Sequence, residues 1–266
     1  MTSKVAIGAV LGGIALACLL LSELTLLILL IVLALLAAGE LLRLARARGG
    51  RPVPAVALLS VIGAYVLAYR EGPDAPELYP ALAAGVLTAA AAGVLVRRNR
   101  EDAVVSAAVT VFVAIYVGMM GSYMVAMRGD HDGFRIVLTF GLMVIMNDTG
   151  AWLLGRFKGR RAMAPRLSPD KSWEGFAGGT LFTGLVAVLT GIGLDPPVTV
   201  GRGLVLGALV VIAAPLGDLF ESMLKRDFGV KDTGTVIPAH GGALDRLDSL
   251  LFTAPIFFYA YRALVT

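Results

Sequence analysis

Residues 5–42, VAIGAVLGGIALACLLLSELTLLILLIVLALLAAGELL, are almost wholly apolar and are interrupted near their middle by Ser22 and Glu23. A helix needs about 20 consecutive apolar residues to cross the hydrocarbon of a bilayer, so this run is long enough for two passes, with the turn at Ser22 and Glu23. A secretory leader over residues 5–21 is the competing reading. It is disfavoured because no small-residue cleavage site is followed by a soluble domain, and a second apolar run begins at once, so the segment is expected to be an anchor.

Composition extends this reading to the whole chain. Of 266 residues 58% are hydrophobic and 16% charged, against roughly 25% charged in soluble domains. Mean hydropathy is +0.83. The 32 glycines suit close helix packing in lipid. The single cysteine, Cys18, excludes a disulfide framework and sits within the first apolar run as a packing residue. A net charge of +4 is modest, and in a membrane protein it orients loops toward anionic headgroups; no nucleic-acid partner is implied.

Further apolar segments lie at roughly 53–69, 78–96, 103–127, 134–155, 175–193, 200–220 and 249–265. The expected fold is therefore all-α and polytopic, with about nine transmembrane helices in one continuous membrane domain. Residues 1–130 are read as N-terminal scaffold helices with almost no intramembrane polar group, and 131–266 as the catalytic region. Cations alternate between connections. Arg43, Arg46, Arg48 and Arg51 follow the second span, Arg97, Arg98 and Arg100 the fourth, Arg156 to Lys171 the sixth, and Lys225, Arg226, Lys231 and Arg246 the eighth. Acidic or mixed loops fill the odd connections, which places the N-terminus and the even connections in the cytoplasm of a cell-membrane protein.

Three polar groupings need an explanation beyond packing. Asp148, Trp152 and Arg156 fall at i, i+4 and i+8 and share one helix face. A structural Asp–Arg contact is the plain explanation, but an acid within a span is costly and is by default a functional candidate. The connection SPDKSWEG, residues 168–175, is either a proline turn with Ser172 as the N-cap of the next span, or an anion site in which Lys171 stands beside free backbone N–H groups. Residues 217–248, GDLFESMLKRDFGVKDTGTVIPAHGGALDRLD, hold the densest chemistry. Asp218, Glu221, Ser222, Lys225 and Arg226 form a polar stripe on one helix, whose plain explanation is a solvated face. That explanation is weakened because Asp218 follows an uncharged run from Leu204 to Leu216, where an unpaired charge is expensive. Gly241 and Gly242 permit close backbone approach to a ligand, and His240 lacks the partners a zinc site requires. Asp245 and Asp248 either cap the last helix or join Asp218 as hard oxygen donors for Mg²⁺ carrying a polyphosphate. With Lys and Arg close by, phosphoryl or nucleotidyl transfer follows as the reaction class.

The string from Ser222 to Asp248 resembles the signature of the phosphatidate cytidylyltransferases, and Asp148-Thr-Gly-Ala-Trp, Gly155-Arg156 and Ser168-Pro-Asp-Lys171-Ser172-Trp-Glu174-Gly175 resemble accessory motifs of the same family. Two departures are small. Ala239 stands where the family commonly has Gly in a Pro-Gly-His-Gly-Gly run, and Ser172 stands where Thr is frequent. The resemblance implies that CTP and phosphatidic acid give CDP-diacylglycerol and pyrophosphate, in a homodimer of multi-span subunits among membrane lipids. It implies Mg²⁺, with room for a second cation, on Asp218 and Asp245 as metal ligands. Lys225, Arg226, Lys231, Asp232, His240, Arg246 and Asp248 become the catalytic set. Asp148, Arg156, Ser168, Lys171, Ser172, Glu174, Ser222, Gly241 and Gly242 become the substrate-binding set. His240 is expected to orient phosphate rather than act as a base, because phosphatidic acid is already an anionic nucleophile.

Three other functions fit parts of the pattern. A CTP-dependent lipid kinase, or a cytidylyltransferase of another lipid phosphate, shares the chemistry and differs in its products. An ion-coupled transporter predicts acids spread across membrane depth with repeat symmetry, whereas the polar groups here gather on one side.

Overall fold

Ser22 divides the first apolar run by capping. Its backbone is extended, its Oγ accepts from the Thr25 amide at 3.1 Å, and Thr25 Oγ1 accepts from the Ser22 amide at 3.1 Å. This reciprocal box satisfies amide donors that a helix start leaves open, so α1 (Thr2–Leu21) ends and α2 (Glu23–Ala47) begins at the expected pair. The computed structural model describes residues 2–96, 102–193, 198–234 and 241–265.

The chain continues through α3 (Pro54–Glu71), a 3₁₀ turn (Gly72–Leu78) and α4 (Tyr79–Leu95). Next come α5 (Ala103–Val113), a π segment (Ala114–Met119), α6 (Met120–Arg128) and α7 (Gly133–Lys158). After the short strands β1 (Ala162–Ala164) and β2 (Ser168–Ser172) follow α8 (Trp173–Gly193), α9 (Val200–Phe228) and α10 (Leu244–Val265). Every apolar segment anticipated from sequence is helical, and the fold is all-α and polytopic. Among the described residues 6 stretches are long and apolar enough to cross a membrane, with Pro54–Leu95 counted as one of them and Val10–Leu21 a shorter apolar helix. The expected count of about nine is therefore not reached by length and apolarity. α10 lies outside the 6; it carries Asp245, Arg246, Asp248 and Arg262 around its apolar middle.

The helices group into two compact units, Met1–Phe134 with Phe228–Leu247, and Arg135–Asp227 with Asp248–Thr266. Residues 228–247 thus group with the N-terminal helices rather than with the rest of the second half.

In the first unit α3 is central, packed against α2, α6 and the π segment. Ala57, Val61, Ala64, Tyr65 and Ala68 form its wholly buried face, and Ala34, Ala37, Ala38, Leu41 and Ala45 are buried on α2. Small residues suit a fold whose solvent is itself apolar, since close backbone approach and dispersion must supply the helix attraction. The entry to α3 is satisfied from α5, where Ser106 Oγ and Thr110 Oγ1 each accept, at 2.9 Å, the amides of Arg51 and Val53. Arg128 Nη1 pairs with Glu23 Oε1 at 3.3 Å, joining the end of α6 to the start of α2.

In the second unit glycines set the helix crossings. A Cβ on Gly150 of α7 would lie 2.5 Å from the carbonyl oxygen of Gly178 on α8, and one on Gly175 would lie 2.8 Å from the Ala151 oxygen. On α9 a Cβ at Gly217 would lie 2.7 Å from the Asp248 carbonyl oxygen of α10. Phe220 and Phe252 stack obliquely beside that crossing at 5.9 Å between centroids, and Phe140 meets Phe257 at 5.2 Å. The proline turn expected at residues 168–172 is part of a two-stranded antiparallel hairpin, with Ala164 opposite Ser168 and Ala162 opposite Ser172.

Candidate active site

The backbone-to-backbone crossing at Gly217 has a direct electrostatic consequence. It brings α9, one residue before Asp218, against the turn of α10 that carries Asp248. Asp218, Glu221 and Asp248 each offer a carboxylate oxygen, and these oxygens lie within 4.8 Å of one another. Two such charges repel by roughly 3 to 4 kcal/mol at an effective dielectric near 20, a repulsion that a bound cation, an ammonium group or a proton on one carboxyl relieves. Lys171 Nζ meets Asp218 Oδ2 at 2.7 Å and also donates to the Pro215 carbonyl at 3.4 Å. Lys225 pairs with Glu221 Oε2 one helical turn earlier, and Glu221 is fully buried. Ser222 Oγ lies 3.5 Å from Asp218 Oδ1, and the Ser249 amide donates to Asp248 Oδ1 at 2.6 Å.

Among the described residues the donor set is composed of hard carboxylate oxygens, without His or Cys, which is what Mg²⁺ or another hard divalent ion selects over softer metals. The nearby ammonium groups suit a polyphosphate carried by such an ion. Glu221 belongs to this set and was not among the residues singled out from sequence as ligands. Its position at i+3 from Asp218 was the available signal, since both then face the same side of α9.

The connection between α7 and α8 is built on backbone contacts. Ser172 Oγ accepts the Gly175 amide at 3.1 Å, which makes it the expected N-cap of α8. Glu174 Oε2 accepts the amides of Arg160 and Arg161 at 3.1 and 3.2 Å, and Trp173 N donates to the Arg161 carbonyl at 3.0 Å. Glu174 thus shapes the turn into β1. Ser168 is half-buried at the start of β2, opposite Ala164. On α7 the shared face is confirmed in part: the Arg156 guanidinium lies 5.7 Å from the Trp152 ring centroid, while Asp148 is exposed one turn before the tryptophan.

The first unit holds the remaining residues in a second polar centre. Asp245 was expected beside Asp218 as a metal ligand. Its Oδ2 accepts the Thr233 amide at 3.0 Å, the Thr233 hydroxyl at 2.9 Å and the Gly242 amide at 2.7 Å, so that oxygen is engaged by the chain that leads into α10. Gly241 has φ +82, a conformation that side chains rarely adopt, and it lies close to the Asp245 carboxylate. Opposite this loop stands Glu40 of α2, fully buried, accepting Thr233 Oγ1–H at 2.9 Å, Ala243 N–H at 2.9 Å and Leu244 N–H at 3.0 Å. Glu40 was missed because its partners are some two hundred positions away, although a lone acid in an apolar helix is itself a warning. Lys231, Asp232 and Arg246 are exposed along the loop and its flank, and Arg226, exposed near the end of α9, belongs to the second unit. His240 lies outside the described residues.

The Cytidylyltransferase family profile matches residues 2–264. A phosphatidate cytidylyltransferase of Mycobacterium leprae is 38% identical over 150 residues, 56% of this chain and 48% of that protein. One of Bacillus subtilis is 36% identical over 147 residues, 55% of each chain. One of Staphylococcus haemolyticus is 40% identical over 141 residues, 53% of this chain and 54% of that protein. The chain spans about half the length of the curated relatives it matches. Because the family match runs along nearly the whole sequence, the chain belongs to the cytidylyltransferase family.

Proposed function

We propose that the chain transfers CMP from CTP to phosphatidic acid, forming CDP-diacylglycerol and pyrophosphate. The observation that carries this reading is the cluster of Asp218, Glu221 and Asp248, with Lys171 and Lys225 seated on two of its acids. We assign Mg²⁺ to this cluster, where it would polarise the triphosphate and neutralise its charge. This replaces Asp245 by Glu221 and Asp248 in the ligand set and leaves Asp245 to order its loop.

The transfer is an in-line displacement. An oxygen of the lipid phosphate forms a bond to the α-phosphorus of CTP, and the bond from that phosphorus to the bridging oxygen of the β-phosphate breaks, releasing pyrophosphate. The lipid phosphate is already anionic, so no side chain need remove a proton. Lys171 and Lys225 exchange their carboxylate partners for phosphate oxygens and offset the charge that develops on the leaving group. Arg156, Arg226, Lys231 and Arg246 add cations at helix ends and loops. The alternation of cations along the chain supports a cytoplasmic site and a cytoplasmic N-terminus. The resemblance of residues 222–248 carries the expectation of a homodimer, which cross-linking in native membranes tests.

Purified protein in detergent, given CTP, phosphatidic acid and Mg²⁺, is expected to release pyrophosphate and form CDP-diacylglycerol in equal amounts. Folded protein that forms neither product overturns the reading. Release of CDP with a phosphorylated lipid would make the enzyme a kinase instead.

A further inference from the structure

We infer that Glu40, on a helix that reads as scaffold, is a positioning residue for the transfer reaction, holding the start of α10 and the Thr233 turn in one arrangement; this rests on the cytidylyl transfer proposed above. Two independent observations carry it. The first is the set of donors. Leu244 opens α10, and its amide and that of Ala243 belong to the helix start, where N–H groups lack intrahelical acceptors and carry partial positive charge. Glu40 Oε1 takes Ala243 N–H at 2.9 Å and Oε2 takes Leu244 N–H at 3.0 Å, so a carboxylate from α2 caps a helix 203 and 204 positions away. A buried carboxylate is costly unless fully hydrogen-bonded, and this one is supplied with donors from two parts of one loop.

The second observation is the shape of the loop. A Cβ on Gly234 would run into Glu40 Oε1, and one on Gly242 would run into both Glu40 Oε2 and Thr233 Oγ1. The second glycine of the Gly241-Gly242 pair is therefore needed to admit the Glu40 carboxylate, a role distinct from the close approach to ligand expected from sequence. Thr233 then links the two acids. Its hydroxyl lies 2.9 Å from Glu40 Oε2 and 2.9 Å from Asp245 Oδ2, so one proton serves both acceptors. Glu40 touches neither substrate in this scheme. It acts through Thr233 and the first turn of α10, whose next residues are Asp245 and Arg246.

Glu40→Gln keeps the volume and turns an amide N–H₂ toward a backbone donor. Thr233→Val removes only the shared hydroxyl. The test measures, on full-length protein in detergent, the number of CTP sites by equilibrium binding and kcat per CTP site with CTP, phosphatidic acid and Mg²⁺. A merely structural role lowers the number of sites and leaves kcat per site unchanged. Positioning predicts a fall in kcat per site of about tenfold or more in each variant, with KM for both substrates held within about threefold. The double variant should lose less than the product of the two single losses, because the two side chains share one hydrogen bond. If Glu40→Gln does not fold, Thr233→Val decides by the same readout. Unchanged kcat per site in the folded variants overturns the inference while wild type remains active. Wild type that releases no pyrophosphate refutes the reaction and this role together.

Discussion

The two polar centres surround their carboxylates with different partners. The acids of the second unit, Asp218 and Glu221, face the ammonium groups of Lys171 and Lys225. The acids of the first, Glu40 and Asp245, face backbone amides and one hydroxyl. A lysine is a flexible partner that can move to a phosphate when a metal arrives, whereas a backbone N–H at a helix start has nowhere else to go. The first arrangement is suited to exchange of partners and the second to fixing a shape. Removing an acid should therefore abolish chemistry in one place and disturb geometry in the other.

The largest effect is expected for Asp218→Asn and Asp248→Asn. Each removes a charged hard ligand while preserving shape, and kcat should fall on the order of a thousandfold. Chelation of divalent ions from wild type should do the same and be reversed by Mg²⁺. Turnover near wild type in either variant would show that the cluster is an ordinary ion-pair network and would remove the distinction between the centres.

Gly217→Val comes next. Its Cβ would stand 2.7 Å from both the Asp248 carbonyl oxygen and the Phe252 Cβ, so α9 and α10 must separate at the point that brings Asp218 toward Asp248. Overpacking of this kind destabilises by about 1 to 3 kcal/mol. Activity should drop further than stability, which a thermal unfolding curve measured beside the pyrophosphate assay will show. Equal losses in both would mean that the crossing serves only the fold.

Lys171→Gln sharpens the idea of exchange. Loss of one charge-assisted contact to phosphate corresponds to about tenfold to a hundredfold in kcat/KM. The loss should appear mainly with CTP as the varied substrate. A variant that binds CTP as wild type does would leave Lys171 as a permanent counter-ion of Asp218.

These residues also mark how far sequence carries. The helices were legible because each apolar run is long and bounded by charge or by a cap such as Ser22. That acids and cations gather between Gly217 and Asp248, after an uncharged span, was legible. Which acids converge was not. Asp245 and Asp248 are three apart on one helix, and only the close approach at Gly217 determines that the Asp248 turn lies beside Asp218. Glu40 was hidden for another reason. In the chain it precedes Leu41, Leu42 and a run of arginines and looks like the charged end of an anchor, while the amides it serves are contributed by a distant loop. The hairpin at Ala162–Ser172 was obscured by its length, since three- and five-residue strands leave no period to read.

The smallest expected effect tests whether backbone-facing groups in the second unit behave like those of the first. Ser172 stands in a segment that resembles a substrate-binding motif, yet its hydroxyl accepts the Gly175 amide at 3.1 Å and so completes the start of α8. Loss of an N-cap costs about 1 kcal/mol, which for a chain of this size lowers the unfolding midpoint by roughly 2 to 4 °C. Ser172→Ala should show that shift with kcat and both KM values within about twofold of wild type. Its neighbour Lys171, whose ammonium reaches Asp218, should show the reverse pattern, with lost activity and little change in midpoint. If Ser172→Ala loses activity tenfold at an unchanged midpoint, the hydroxyl meets phosphate during turnover, and the division between partner-exchanging and shape-fixing groups must be drawn one residue further along the chain.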